Sequence, residues 1–291
     1  MTYALQQALN ALQLGSIYAL IALGYNMVYG VLQMINFAHG DLFMVGAFLF
    51  FLAAEYAGLP FIPSLLVSMA GVSALGVLVE RIAYRPLRDA PKMSAVITAL
   101  GVGIFLESFT LALSPYPRHV PKLLENASWS AGGVTVSSLQ LLIIAVSAAL
   151  MIALRFIVHG TRYGMAMRAV SWDINSAAVL GLPVNRVIAV TFAVGSALGG
   201  AAGVLYAAAY PVIDPYMGVM VGWKAFISAV IGGIGSIGGA MAGGFILAAL
   251  EVSVAAFGPS SYRDFVAFAL LLLLLVFRPY GLFGKPRTRK V

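Results

Sequence analysis

Long apolar runs with almost no charge are the feature that most limits what this chain can fold into. Runs of 17 or more largely apolar residues recur along the sequence. As a helix, each is long enough to cross a hydrocarbon layer about 30 Å thick. Because 62% of the 291 residues are hydrophobic and 9% are charged, a soluble core of this length has no room for them. The sequence therefore predicts an all-α, polytopic transmembrane bundle that forms a single domain over residues 1–291.

Eight apolar runs are expected to form membrane segments. They cover residues 12–34, 38–54, 63–80, 94–114, 139–157, 187–210, 225–257 and 264–280. The seventh run is long enough for two short helices joined by a bend in its glycine-rich part, which gives about nine crossings. A re-entrant hairpin fits the same pattern, so we expect eight or nine segments with broken or re-entrant helices.

The positions of the basic residues predict which side of the membrane each connection faces. Thirteen of the 17 Lys and Arg residues fall in three clusters. The clusters are Arg81, Arg85, Arg88 and Lys92; Arg155, Arg162, Arg168 and Arg186; and Arg278, Lys285, Arg287, Arg289 and Lys290. Basic residues in short loops mark the cytoplasmic side. This places the C-terminus inside and the N-terminus, residues 114–138 and residues 210–222 outside. The net charge of +7 thus indicates topology in a lipid bilayer, and we expect no nucleic-acid partner.

The ends and the rare residue types restrict the class further. No basic residue precedes the first apolar run, so we expect that run to be kept as a membrane segment and not removed as a signal peptide. The chain has no cysteine, which excludes disulfides and thiolate metal sites. His39 has no histidine partner at helical spacing, so no metal site is predicted.

A literal G-x-G-x-x-G at Gly233, Gly235 and Gly238 raises the question of a nucleotide site. A dinucleotide site needs an amphipathic helix after the glycines and an acidic residue about twenty residues later, whereas here an entirely apolar stretch follows. No Gly-Lys-Ser/Thr of a phosphate-binding loop occurs in the chain, so we expect no cofactor bound by it. Glycines four residues apart instead favour close helix packing. The candidates for this role are Gly195, Gly199, Gly203, Gly235, Gly239 and Gly243.

Three acidic residues, Asp41, Glu107 and Glu251, lie inside predicted membrane segments. A charged group at the bilayer centre costs roughly 2.5 to 3.5 kcal/mol on insertion scales, so such residues seldom face lipid. Asp41 and Glu251 have two interpretations, an interfacial or packed polar contact and a place in a pathway, whereas the central position of Glu107 favours the protein interior. Together with Asn36 and His39, which are close to Asp41 in sequence, Asp41 and Glu107 are candidates for lining a translocation path. A lone histidine at a helix end is also typical of a hydrogen-bonded structural group.

Residues 156–187 form a cytoplasmic loop that is too polar to cross a membrane. Asp173 is a suitable N-cap for a helix over residues 175–180, and Gly181 suits the left-handed position after its end. Ala177 and Ala178 give this helix a narrow face that fits a groove on a soluble partner. The alternative is an ordinary connecting loop with a surface helix.

Several long blocks of the sequence resemble the LivH-type permease of branched-chain amino acid ABC importers. The blocks are LGSIYALIALGYNMVYGVLQMINFAHGD (14–41), ERIAYRPLR (80–88), GIFLES (103–108), AAVLGLPVNRVIAVTF (177–192), KAFISAVIGGIGSIGGAMAGG (224–244) and RPYGLFGKP (278–286). They occur in order over nearly the whole chain. Glu107 departs from the family pattern, which often has glutamine there, and the segment 114–138 is shorter than in some members.

The resemblance implies a heteromeric importer in a bacterial cytoplasmic membrane. Its other parts are a second related permease, two cytoplasmic ATPase subunits and an extracytoplasmic solute-binding protein. ATP chemistry then belongs to the ATPase subunits, and this chain is not an enzyme. By the same resemblance, Arg168, Asp173, Ala177, Ala178 and Gly181 belong to the loop that couples to the ATPase.

The residues leave the substrate and two other function classes open. Leucine, isoleucine and valine fit the family, whereas urea and small amides are carried by close relatives. A second class is an ion-coupled transporter that works alone, with Asp41, Glu107 or Glu251 as the ion site. A third class, a membrane-embedded enzyme, needs a nucleophile with a base or a paired acidic site, and the sequence offers no convincing set.

Overall fold

The structure, a computed structural model, describes residues 2–88 and 90–284. Its helices are α1 Thr2–Leu32, α2 His39–Glu55, α3 Phe61–Val79, α4 Lys92–Leu113, α5 Ser138–Gly160, α6 Arg162–Trp172, α7 Ile174–Val179, α8 Val184–Ala209, α9 Met217–Gly232, α10 Ile237–Phe257 and α11 Tyr262–Phe277. A π-helical turn, Glu80–Tyr84, and a 3-10 turn, Arg85–Leu87, continue α3. Of the third basic cluster, Lys285, Arg287, Arg289 and Lys290 lie outside the described residues.

Six helices within the described ranges are long and apolar enough to cross a membrane. They are Thr2–Leu32, Phe61–Leu87, Met93–Leu113, Ser138–Gly160, Val184–Ala209 and Ile237–Phe257. Helices α2, α9 and α11 are shorter, with 17, 16 and 16 residues. The prediction of a helical, multi-pass membrane protein is confirmed, whereas the total of eight or nine segments stays a prediction.

The seventh apolar run is divided, with a helix break at its glycines. Helix α9 ends at Gly232, and α10 begins at Ile237. The expected start of this run was wrong, because α9 begins at Met217, eight residues before the predicted 225. Helix α1 also begins earlier than expected, at Thr2, because amide side chains near its start bond to one another and to a neighbouring strand.

The helices differ strongly in how much of their surface is buried. Ile17, Leu20 and Leu23 of α1 are fully buried, and α8 is similarly enclosed. By contrast, α4 buries a single stripe, consisting of Ala95, Ala99, Gly103, Leu106 and Thr110, and leaves its other faces open. In lipid, apolar side chains gain little by leaving the surface, so small residues decide where helices approach.

Two short β pairs lie in the connections that we expect outside the membrane. Strand β1, Arg118–His119, pairs antiparallel with β4, Val212–Ile213, and so brings the two predicted outer segments together. Strands β2, Ser128–Ala131, and β3, Val134–Ser137, form a hairpin. Both glycines of its turn, Gly132 and Gly133, have positive φ, as a two-residue type I′ turn requires. These strands are a small exception to the all-α prediction.

Candidate functional site

A cavity of about 100 Å³ lies between α2, α4 and α9. Its walls contain two acidic side chains, aromatic rings and three glycines. The lining residues are Tyr25, Phe37, Asp41, Leu100, Gly103, Ile104, Glu107, Gly218, Val219, Gly222 and Trp223. Asp41 and Glu107, which are 66 positions apart in the sequence, therefore meet at one place.

Glycines make room for the carboxylate of Asp41. A methyl group at Gly103 of α4 would collide with Asp41 Oδ2, and one at Gly218 of α9 would lie 3.1 Å from Oδ1. Asp41 is 5% exposed, and its Oδ1 has no hydrogen-bond partner among the described residues. The first turn of α2 holds Asp41, where the partial positive charge of the helix N-terminus favours a carboxylate. The acid thus lies in a space that three elements leave open for it.

Part of the cavity wall is aromatic. Phe37 and Trp223 have ring centroids 5.5 Å apart, and both rings approach Phe226, at 6.2 and 6.3 Å. Tyr25 approaches the same Phe226 ring at 5.8 Å. The cavity lining therefore combines two acidic side chains with aromatic rings.

The other two predicted path residues, Asn36 and His39, are packed elsewhere. His39 is 1% exposed, and its ring fills the space left by Gly24 of α1 and Gly199 of α8. Asn36 is equally buried and accepts a hydrogen bond of 2.9 Å from the hydroxyl of Tyr84. Of the four path candidates, Asp41 and Glu107 line the cavity.

Glu251 lies in a separate charge network that includes a residue the sequence reasoning missed. Glu251 Oε2 accepts hydrogen bonds from the Tyr18 hydroxyl at 3.0 Å and from Lys224 Nζ at 3.1 Å. Lys224 Nζ also lies 3.0 Å from a carboxylate oxygen of Asp264. The expected membrane segment began at residue 225, one residue after Lys224. On that basis the lysine was expected to flank the segment and not to lie inside it. Glu251 therefore has the packed polar contact that was one of its two interpretations.

The G-x-G-x-x-G stretch forms the break between α9 and α10. Gly233 and Gly235 have φ of 99° and 94°, backbone angles that residues other than glycine rarely adopt. The amide of Asn26, on α1, donates to the carbonyl of Ser236 at 2.8 Å and accepts from the Gly235 N–H at 2.5 Å. Ser236 in turn caps α10. A side chain from another helix thus satisfies the backbone that the break exposes.

Four of the six predicted packing glycines lie at close backbone approaches, and a fifth lies against a side chain. Gly195 faces Gly24, Gly203 faces the Phe43 carbonyl, Gly239 faces the Gly232 carbonyl, Gly243 faces the Ser228 carbonyl and Gly199 faces the His39 ring. Gly235 is different: it lies in the break, and nothing would contact a methyl group there within 4 Å. The expectation that Gly235 lies on a helix face was wrong, because Ser236 starts the next helix after it.

The predicted short helix of the loop is α7. The carboxylate of Asp173 accepts bonds from the N–H groups of Asn175 and Ser176, and these bonds, with one from the Ser176 hydroxyl, lower its pKa. Gly181 has φ of 80°, as expected after a helix end. The Arg168 guanidinium bonds to the Val158 carbonyl at the end of α5 and ties the loop to it.

The exposed face of α7 differs from the expectation. Ala177 is 2% exposed and belongs to the chain's own core, so it cannot form part of an outer face with Ala178. Val179 and Leu180, exposed by 88% and 78%, point outward together with Trp172, exposed by 88%. Ala177 is the one buried residue among residues 172–180, so the short helix packs against the bundle through this position alone. The open apolar face of the loop is therefore made of large side chains.

Comparison with known families decides what kind of protein this is. Residues 7–275 match the family model described as "Branched-chain amino acid transport system / permease component". The chain belongs to this permease family. The chain is 42% identical over 304 residues to the high-affinity branched-chain amino acid transport system permease protein LivH of Salmonella typhimurium, covering 99% of this chain and 98% of LivH. It is equally identical, over 300 residues, to BraD of Pseudomonas aeruginosa, with the same two coverages.

More distant similarities extend beyond the LivH group of this permease family. LivM of Escherichia coli, a permease protein of a high-affinity branched-chain amino acid transport system, is 25% identical over 94% of this chain and 68% of its own length. The solved structure of PsaBC from Streptococcus pneumoniae in complex with Fab matches with a TM-score of 0.50 and 14% identity, covering 93% of this chain and 91% of that chain. The latter is a likeness of fold alone.

Proposed function

We propose that this chain is one permease subunit of an ATP-driven importer that carries branched-chain amino acids across a bacterial cytoplasmic membrane. The observation that carries the proposal is 42% identity over 99% of the chain to LivH and BraD, whose names give this transport function. A phosphate-binding loop is missing from the sequence, which agrees with ATP hydrolysis in separate subunits. The remaining partners are a second permease related to LivM and a solute-binding protein outside the cell.

The cavity between α2, α4 and α9 is our candidate for part of the path. Asp41 and Glu107 are its acidic groups, and Ile97, Ile104 and Phe105 on the open faces of α4 are 62% to 65% exposed. These faces are where a second permease would complete the walls. We expect alternating access, in which the glycine contacts at Gly195, Gly199, Gly203, Gly239 and Gly243 let neighbouring helices move as units.

The loop with α6 and α7 is our candidate for contact with the ATPase. Arg168, Asp173 and Gly181 fix its shape, and Ala178 and Val179 are on its open side. Val179→Asp puts a charge on that side without touching the core. We expect this variant to insert normally but to lose its ATPase subunits during purification. Tyr116→Asp is the matched control. Tyr116 is 74% exposed and follows the C-terminal end of α4, in the segment that we expect outside the membrane, so this variant should retain its ATPase subunits.

Nine crossings with the N-terminus outside fit the order of the helices and the basic clusters. Because the chain has no cysteine, single cysteines report topology cleanly. We expect a cysteine at Tyr116 to react with an impermeant maleimide on intact cells, and one at Trp172 to react after the membrane is opened. Labelling of position 172 on intact cells contradicts both the topology and the coupling role.

Transport by the complete importer is the decisive test. The chain, its related permease, the ATPase subunits and the binding protein are reconstituted in liposomes, and uptake of radiolabelled leucine is measured with and without ATP. We expect uptake that requires ATP and the binding protein. Leucine flux through liposomes that contain this chain alone would instead select the stand-alone transporter, and uptake of urea in place of leucine would change the substrate.

A further inference from the structure

The cavity between α2, α4 and α9 has an unbalanced charge. Asp41 of α2 and Glu107 of α4 approach from different helices, and both line the cavity. None of the described residues that line the cavity is basic. The other buried acids differ in this respect, since Glu251 is paired with Lys224 and Glu80 with Arg88. The acid pair in the cavity therefore needs a cation that the walls do not supply.

The shape of the site indicates what kind of cation fits. Asp41 Oδ1 is buried without a hydrogen-bond partner, next to the cavity-lining Gly218. The same lining contains the rings of Phe37 and Trp223, which offer an apolar surface. A hydrated metal ion gains nothing from such rings. A primary ammonium group attached to an apolar body suits both kinds of group, because its three N–H donors can face the carboxylates while the apolar part lies against the rings.

We infer that Asp41 and Glu107 form an ammonium-recognition site that determines specificity. The site takes apolar α-amino acids and rejects molecules of the same shape that lack the ammonium group, as well as urea and other neutral amides. This inference rests on the proposed function, since it requires that the substrate pass through the cavity. The physical reason is that a neutral ligand closes the cavity over two acidic groups that no cation neutralises, which is strongly unfavourable for buried charges.

The first test needs no mutation. The assembled membrane complex, without the binding protein, is placed in nanodiscs, and unlabelled compounds compete with tritiated leucine. Leucinol keeps the ammonium and lacks the carboxylate, whereas 2-hydroxy-4-methylpentanoate keeps the carboxylate and lacks the ammonium. We expect leucinol to compete and the hydroxy acid to bind at least about 100-fold more weakly than leucine, in line with rejection by sites whose polar groups are left unpaired. Equal competition by the hydroxy acid or by urea overturns the inference.

Variants then assign the effect to the two acids. Asp41→Asn and Glu107→Gln keep the size of each side chain, and each is expected to weaken leucine binding about tenfold, the equivalent of one charge-assisted hydrogen bond. The ratio between leucine and the hydroxy acid should shrink by the same factor. Glu55→Gln, at the exposed end of α2, removes an acid from the same helix and should change nothing. Copurification of the ATPase subunits shows that each variant is folded.

The outcomes separate this inference from the proposed function. ATP-driven leucine uptake by the unmodified importer tests the proposed function alone. If this uptake is absent, both the proposed function and the ammonium site are refuted. If uptake is present and Asp41→Asn and Glu107→Gln bind leucine like the unmodified complex, only the ammonium site is refuted. A loss of leucine affinity with an unchanged preference over the hydroxy acid also refutes it, because a purely structural role weakens both ligands alike.

Discussion

Replacing Asn26 with leucine removes the side chain that holds the break between α9 and α10. The amide of Asn26 donates to the carbonyl of Ser236 and accepts from the N–H of Gly235. Asn26 is 3% exposed, whereas Gly235 is exposed and Ser236 is half-buried, so water reaches the break more easily than it reaches the Asn26 side chain. Leucine has a similar size and fills the space, but it offers neither a donor nor an acceptor. The change therefore isolates the polar contribution of one residue.

The expected cost follows from the groups left without partners. A buried backbone donor or acceptor without a partner costs about 1 to 3 kcal/mol, and two such groups cost about 2 to 6 kcal/mol. Burial of the amide itself carries a penalty of about 1 to 3 kcal/mol, which leucine removes. We expect the free energy of unfolding to fall by about 1 to 3 kcal/mol, which is the first range reduced by this gain.

The assay is reversible unfolding in mixed micelles, in which the fraction of sodium dodecyl sulfate is raised and the helical circular dichroism signal is recorded. Asn10→Leu is the matched control, since the Asn10 amide bonds to Gln6 and Gln7 of its own helix. The control should change stability by no more than about 0.5 kcal/mol. If Asn26→Leu is as stable as the control, the break does not depend on a side chain from α1.

Three further predictions concern other parts of the bundle. Lys224→Met leaves the buried Glu251 without its cation and should cost about 3 to 5 kcal/mol in the same unfolding assay, and a second change of Glu251 to methionine should recover most of this loss. Gly203→Ala puts a methyl group against a backbone carbonyl of α2 and should cost about 1 to 3 kcal/mol, whereas Gly238→Ala, with nothing within 4 Å, should not destabilise. Hydrogen bonds from Ser176 and Asn175 hold the pKa of Asp173 below its usual range, so its cap on α7 is intact at neutral pH and weakens as the pH falls through that lowered pKa. Hydrogen exchange of the α7 amides, corrected for intrinsic rates, should show this loss, and Asp173→Ala should abolish the pH dependence.

The bend in the seventh apolar run was predictable because glycines leave a strong local signal. A single membrane segment does not need 33 residues, and glycines supply the positive φ values that a break requires. What holds the break was not predictable. Asn26 lies 209 positions from Gly235, and a single uncharged polar residue in an apolar helix carries no sign of its partner.

The acidic residues of the membrane segments also show which contacts the sequence does not predict. From the sequence, Asp41 and Glu251 have the same two interpretations, and Glu107 differs from them by its central position in an apolar run. The structure separates them through contacts that depend on three-dimensional packing: Lys224 reaches Glu251, whereas the surroundings of Asp41 contain glycines and rings. The side chain of His39, a few residues away, turns into the contact between α1 and α8 instead. Spacing along the chain thus finds the candidates, and packing decides their roles.

We expect α4 to be the wall of the cavity that moves, and the glycines around the cavity give the reason. Gly40 of α2 meets Gly218 and Gly222 of α9 so closely that a methyl group at Gly40 would overlap both backbones. Such contacts hold α2 and α9 together, because close backbone approach maximises dispersion attraction in lipid. Helix α4 has only the narrow stripe around Ala99 and Gly103 against the bundle. A displacement of α4 therefore breaks few contacts, and because α4 carries Glu107, it also changes the distance between the two carboxylates. The acid pair and the opening of the cavity are in this way coupled through one helix.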